Sequence, residues 1–312
     1  MSFSELSAEL RLQLSSRYVL GAGLLTALVG VVSARNLVVH TNALHEQFLT
    51  SLADSDQQGV SLAEALAQPV VVEESTGQTY VENVLRFDFE AAATAVHNLG
   101  IVGFTVNYLQ FVSFVVMPVV AFILGCSVLS RDARQKTLKA RVFRVGRLRL
   151  YGIQLVATVV TAVASILIGL VAAAISGYAF AAASLDAVDQ RVLAAPATGI
   201  PVTEWVATLA LVVLSTAFFV VVGAAVGIAL RTVLIPSLVF VAWNLAFPIM
   251  FPWDLRVAWA ALGNRVFGFD GVFSLSVPHV VNPLLAVGYI LVVVLAAGLA
   301  AVYAAQRRTT FT

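Results

Sequence analysis

Few side chains in this sequence have types suited to bond-making chemistry, and their spacing does not bring them together. His45-Glu46-Gln47-Phe48-Leu49 opens like the helix of a zinc hydrolase. That helix needs a second histidine four residues after the first, so that two ligands share one face. Leu49 stands in that place. His40, His97 and His279 are scattered and read as surface or interfacial histidines. A phosphate-cradling loop needs glycines leading into Lys-Ser/Thr. The lysines here, Lys136 and Lys139, follow no glycine. Cys126 is the single cysteine and lies inside an apolar run, which excludes a disulfide framework and a cysteine metal site. The expectation is a chain that is not an enzyme, with no catalytic residue, metal or cofactor of its own.

What the sequence does concentrate is positive charge. Residues 130–150 read SRDARQKTLKARVFRVGRLRL and carry Arg131, Arg134, Lys136, Lys139, Arg141, Arg144, Arg147 and Arg149 against one acid, Asp132. Apolar runs flank this block on both sides, so nucleic acid is not the expected partner. Cationic loops next to membrane segments are retained in the cytoplasm. Leu138, Val142 and Val145 recur at helical spacing, so the block fits a short amphipathic helix across the membrane face. One reading is a loop that sets topology and binds lipid headgroups. The sharper one is a docking helix for a soluble protein.

The chain is 60% hydrophobic and 11% charged. A soluble domain carries about 25% charged residues. The apolar residues fall in runs long enough for a bilayer, which takes about 20 residues. The fold class expected is an all-α polytopic membrane protein with six transmembrane helices and both termini in the cytoplasm. Residues 1–17 form an interfacial helix, with Leu6, Leu10 and Leu14 on one face and Glu5, Glu9 and Arg11 off it. The spans are 18–35, 98–129, 151–178, 204–230, 232–251 and 282–305. Residues 36–97 hold most of the acids and make a small folded cap outside the membrane, with a hairpin around Glu-Ser-Thr-Gly-Gln-Thr. Residues 130–150 are the cytoplasmic helix, 179–203 a polar loop, and 252–281 a re-entrant or interfacial segment on the outer side. Arginine outnumbers lysine, and alanine and valine abound, which reads as a bacterial composition and so a bacterial cell membrane.

The spans hold almost no ionisable groups, whereas ion-coupled carriers keep such groups in the bilayer interior. Energy for any transport would therefore come from another polypeptide. Asn107 and Gln110 fall near one face of the second span and Asn244 lies in the fifth. They either line a substrate path or hold helices together. Gly223 and Gly227 form a small-residue motif that lets helix backbones approach, within the subunit or between two subunits.

The basic block resembles the cytoplasmic loop between spans two and three of ABC-2 type permeases. Asp132-Ala133-Arg134-Gln135-Lys136-Thr137-Leu138-Lys139 matches that family's Thr-Leu at Thr137-Leu138, and Arg147 matches a later arginine. Lys136 stands where a glycine is usual, Gly146 near a usual proline, and Gln154 where a lysine is usual. The flat N-terminal helix, six spans, large first outer loop and segment before the last span are similar in layout. The resemblance implies the permease half of an ATP-binding cassette exporter. A second permease subunit, identical or related, and two cytosolic ATPase subunits that bind ATP and Mg would complete it. Asp132, Arg134, Lys136, Thr137, Leu138, Lys139 and Arg141 would meet the ATPase, and cargo would be amphiphilic or apolar. The alternative is a non-transporting scaffold or sensor whose outer cap binds a ligand.

Overall fold

A computed structural model describes residues 3–75, 78–128, 141–143, 146–196, 200–249, 251–267 and 281–307. The chain is mostly helical. Five helical stretches are long and apolar enough to cross a membrane: Arg17–Gln57, Ile101–Cys126, Leu148–Ala187, Val202–Leu230 and Pro283–Ala304. The outward faces of these helices are apolar, as lipid requires. Leu284, Leu291, Leu295 and Leu299 of the last one are all exposed.

Helix α1 (Phe3–Leu14) is followed after two serines by α2 (Arg17–Gln57), of 41 residues. At 1.5 Å per residue α2 is roughly 60 Å long, about twice the hydrocarbon core of a bilayer. The helix does not stop at Arg35, where the first span was expected to close. No glycine or proline lies between Gly30 and Gly59, so nothing breaks it. It ends at Gly59, whose φ of 76° is the left-handed conformation that favours glycine. Gly59 N–H donates to the Asp56 carbonyl (3.1 Å) and Val60 N–H to that of Ser55 (3.0 Å). This pair of bonds closes the last turn.

The far half of α2 is the stem of a small helical cap. Helix α3 (Leu62–Ala67) starts at Ser61, whose hydroxyl accepts from Glu64 N–H while the Glu64 carboxylate accepts from Ser61 N–H. Strands β1 (Val71–Ser75) and β2 (Gln78–Glu82) pair antiparallel, Val71 opposite Glu82. Helix α4 (Val84–His97) then lies against α2, with the Phe48 and Phe89 rings edge to face at 5.4 Å.

The second span is α5 (Ile101–Phe111), a π turn (Val112–Val116) and α6 (Met117–Cys126). Pro118 lacks the N–H an α-helix would use here, and the wider π turn precedes it. Helix α7 (Arg147–Ser184) returns, and a 3-10 turn (Leu185–Ala187) leads to α8 (Gln190–Leu193). This connection is not merely polar. Val188, Val192 and Ala195 bury themselves against Phe48, Leu85 and Phe89, so they complete the core of the cap. Helix α9 (Val202–Leu230) crosses back and ends at Arg231, in the left-handed conformation with φ 57°.

The span expected at 232–251 is a shorter object. Helix α10 (Leu234–Leu245) has 12 residues. That is roughly 18 Å, short of the ~30 Å core. Pro248 disfavours helix at the residue before it, which stops α10 early. Helix α11 (Leu255–Val266) is capped by Asp254, which accepts from Arg256 N–H at 2.9 Å. The Arg256 guanidinium covers the end of α10. It donates to the Trp243 carbonyl at 3.0 Å and the Phe247 carbonyl at 2.6 Å, and it lies 4.8 Å over the Trp243 ring. Its charge is balanced by Asp254 at 2.7 Å. Two short helices are thus tied together and packed onto α9, where Trp259 meets Phe218 and Phe219. Helix α12 (Pro283–Arg307) completes the bundle.

Candidate functional site

Three parts of the bundle bear on function: the end carrying the basic block, the glycine contacts of α9, and a polar cleft at the opposite, capped end.

At the basic end, Asp132, Arg134, Lys136, Thr137, Leu138 and Lys139 lie outside the described residues. Arg141 is described, and it pairs with Glu9 of α1. Arg149, in the first turn of α7, pairs with Glu5 at 2.8 Å. One turn further along α1, Gln13 donates to the Gln154 carbonyl at 3.3 Å and to Thr158 Oγ1 at 3.1 Å, and accepts from Thr161 Oγ1 at 3.1 Å. Helix α1 is therefore fixed to α7 by its polar face. Of the residues off the leucine face, Glu9 turns into the protein. Leu14 is 54% exposed, whereas Glu9 is 4% exposed. The physical reason is pairing: a carboxylate is buried only when a cation meets it, and Arg141 does so. A small cleft of about 40 Å³ lies beside the pair, walled by Gln13, Ser127, Gln154 and Thr158. Gly146, with φ 83°, precedes α7 and makes the turn between the basic block and that helix.

Gly223 and Gly227 both face α6 of the same chain. A Cβ at Gly223 would fall well inside 3.0 Å of the Phe122 carbonyl, and one at Gly227 inside 3.0 Å of that of Cys126. Gly125 approaches the Val220 carbonyl in the same way from the other side. Of the two readings open from the sequence, this is packing within the subunit. Gly30 of α2 and Gly169 of α7 make a second such approach, with Thr26 Oγ1 donating to the Ser165 carbonyl at 2.7 Å.

Asn107 and Gln110 come together at the capped end, 5% and 2% exposed. They wall a narrow cleft of about 10 Å³ with Leu37, Asn98, Gly103 and Glu204. Asn107 Nδ2 donates to the Ser33 carbonyl at 3.1 Å and to Ser33 Oγ at 2.8 Å. Among the described residues, Asn107 Oδ1 and Gln110 Oε1 have no hydrogen-bond partner, nor have Thr208 Oγ1 and Ser215 Oγ. Glu204, Thr208 and Ser215 recur at helical spacing along α9. Trp205 ties the same two helices, its Nε1–H donating to Thr105 Oγ1 at 3.0 Å. Asn244 is elsewhere. It donates to the Val115 carbonyl at 3.4 Å, inside the π turn, and so acts as a link between helices.

Sequence reasoning missed Glu204 as a companion of Asn107 and Gln110. Its place in the first turn of α9 was visible; which helix it opposes was not. It also missed Glu9 as an inward residue. His45, singled out for its zinc-like setting, is buried and accepts from Asp189 N–H at 3.1 Å, which fastens the 185–195 segment to α2. Among the described residues, no group of three His, Cys, Asp or Glu side chains is placed to share a metal ion. Compared with protein-family models, curated proteins and solved structures, the chain finds no match.

Proposed function

We propose that this chain is the membrane-spanning permease subunit of an ABC-2 type exporter in a bacterial cell membrane. The observation that carries the reading is the basic block at one end of the bundle, between the second and third long apolar stretches. Its described residues are joined to the bundle by two ion pairs, Arg141 with Glu9 and Arg149 with Glu5. In this reading a separate ATPase supplies the energy and binds the ATP and Mg. Closure of two such ATPases pushes residues 131–149. The push passes through Gly146 into α7 and, by the ion pairs, into α1. The bundle rocks and an amphiphilic or apolar cargo leaves on the capped side. A second permease subunit, identical or related, completes the assembly.

Co-purification tests this. A Walker-motif ATPase should come down with the full-length chain and be lost with the double variant Thr137→Asp/Leu138→Asp. Recovery that does not change with the double variant removes the docking role.

A scaffold or sensor is the second reading, favoured by the cap having its own packed core around Phe48 and Phe89. A cleft of about 390 Å³ in the cap is lined by Ser51, Asp54, Gln58 and Asn83. Cargo export that persists after the cap's cleft is filled would set this reading aside.

A further inference from the structure

We infer that the cleft in the cap, between the end of α2 and the start of α4, binds a small aliphatic amine by its ammonium group. This gives the sensor reading a ligand class. Binding is read on the chain alone, so it stands or falls apart from any role of the cap in cargo export.

Ser51, Asp54, Ser55 and Gln58 recur at helical spacing, so the last turns of α2 make one polar wall of the cleft. Asn83 stands in the facing wall. Its φ of 59° is left-handed, a conformation that a residue other than glycine keeps where its surroundings fix it. Three hydrogen bonds do so. Asn83 Nδ2 donates to the Ala65 carbonyl at 2.7 Å and the Gln68 carbonyl at 3.2 Å, and Oδ1 accepts from Arg86 N–H at 3.3 Å. The cleft is thus preformed. Its volume of about 390 Å³ lies within the ~300–1,000 Å³ of small-ligand sites. Arg86 is the only arginine or lysine in residues 36–130, and nine acids share residues 36–97 with it. It is already engaged, by Glu90 at 2.7 Å and by the Leu66 and Gln68 carbonyls at 3.1 and 2.6 Å. Asp54 is the one acid among the described lining residues, and among the described residues no cation pairs with it. A concave site in a field of that sign draws in a cation. The rest of the lining is aliphatic: Val60 and Val84 are 41% and 49% exposed, and a hydrocarbon body laid on them would take them out of water. A calcium or magnesium ion needs about six oxygen ligands, several of them charged, and would leave these valines uncovered. An ammonium group on an aliphatic body meets both halves of the lining.

The chemistry has two sources, a simple alkylamine and the free amino end of a short peptide. The full-length chain in lipid nanodiscs is titrated by calorimetry with isopentylammonium chloride and with leucyl-leucinamide hydrochloride, and the heat of empty nanodiscs is subtracted. Saturable heat with either amine is the expected result, and the tighter of the two assigns the source. Amide exchange over 51–60 and 83–86 slows in the presence of that amine. Isopentanol and isovalerate keep the hydrocarbon and lose the cation, and they show no saturation over the same range. Asp54→Asn weakens binding about threefold, since an exposed ion pair is a weak one. Val84→Asn weakens it too. Asp56→Asn, on the same helix but off the cleft, leaves it unchanged. The inference is overturned by the absence of saturation with both amines or by equal affinity for isopentanol or isovalerate. Unchanged affinity in both Asp54→Asn and Val84→Asn, or an equal loss in Asp56→Asn, overturns it as well.

Discussion

Helix α9 meets its neighbours in two ways along its length. Toward the basic end it lies backbone to backbone on α6, through Gly125, Gly223 and Gly227, with no room for a side chain between them. Toward the capped end it faces α5 across a cleft lined by Asn107, Gln110 and Glu204. The first contact is dry, close and indifferent to charge. The second is polar and leaves oxygens without partners. In a bilayer apolar helices gain little by burying themselves from lipid, so close packing and hydrogen bonds must hold the bundle. The glycine contact does so on one half of α9. The other half is free to keep polar groups that stability alone would not retain.

The largest effect should come from closing the dry contact. Gly223→Leu puts a branched side chain against the Phe122 backbone, which cannot move aside as a side chain would. Overpacking a well-filled core costs about 1–3 kcal/mol; a backbone obstacle places this variant at or above the upper end. The expected outcome is loss of the monodisperse peak in size-exclusion chromatography. Gly21→Ala, where nothing lies within 4 Å, should behave as wild type.

Next comes the pair that fixes α1. Glu9→Gln takes the buried carboxylate away from Arg141, at a cost of about 1–3 kcal/mol for a lost charged partner. Trypsin should then cut at Arg11 and Arg17 several-fold faster. Glu5→Gln should cost at most about 1 kcal/mol, because Arg149 is 52% exposed and such pairs are screened. Equal sensitivity of the two variants would show that burial does not separate them.

Elsewhere on α9, Thr208→Val removes a buried hydroxyl that has no partner among the described residues. Removing such a group is close to neutral or stabilising. Thermal unfolding should move by no more than about 0.5 kcal/mol. Ser33→Ala, which takes away a real acceptor of Asn107, should lower Tm further than Thr208→Val does.

The smallest effect belongs to the cap. The Ser61 backbone N–H, and after it the Ser61 hydroxyl, hold the Glu64 carboxyl below the usual glutamate range. The folded value lies below the unfolded one, so the stabilisation is present above the unfolded value and is lost as pH falls through the folded one. Amide protection over 61–67, corrected for intrinsic rate, should weaken slightly between pH 7 and pH 3. Glu64→Gln should flatten that change.

Much of the fold could be read in the sequence because an apolar run of membrane length has few other uses. Residues 98–129 and 204–230 announced themselves that way, and Ser61-Leu62-Ala63-Glu64 announced a helix start. The extension of α2 past Arg35 was hidden because its far half is amphipathic rather than apolar, and polarity was read as the end of the helix. The shortness of α10 was hidden because Pro248 reads equally as a kink or a stop; Arg256 and Asp254 decide for a stop. Asn107 and Gln110 could be found from one helix. Glu204 could not be assigned to them without knowing that α5 and α9 are neighbours. The burial of Glu9 was not legible because its partner, Arg141, is 132 residues away.

The proposed function depends on which side of the membrane the basic block occupies. Cys126 is buried, with 0% exposure, so single cysteines placed elsewhere can be labelled without background. Gln135→Cys in the basic block and Gln57→Cys at the far end of α2 are treated in intact cells with an impermeant maleimide. The account predicts labelling at position 57 and none at position 135 until the cells are opened. Labelling at position 135 in intact cells would put the basic block outside, beyond the reach of any cytosolic ATPase.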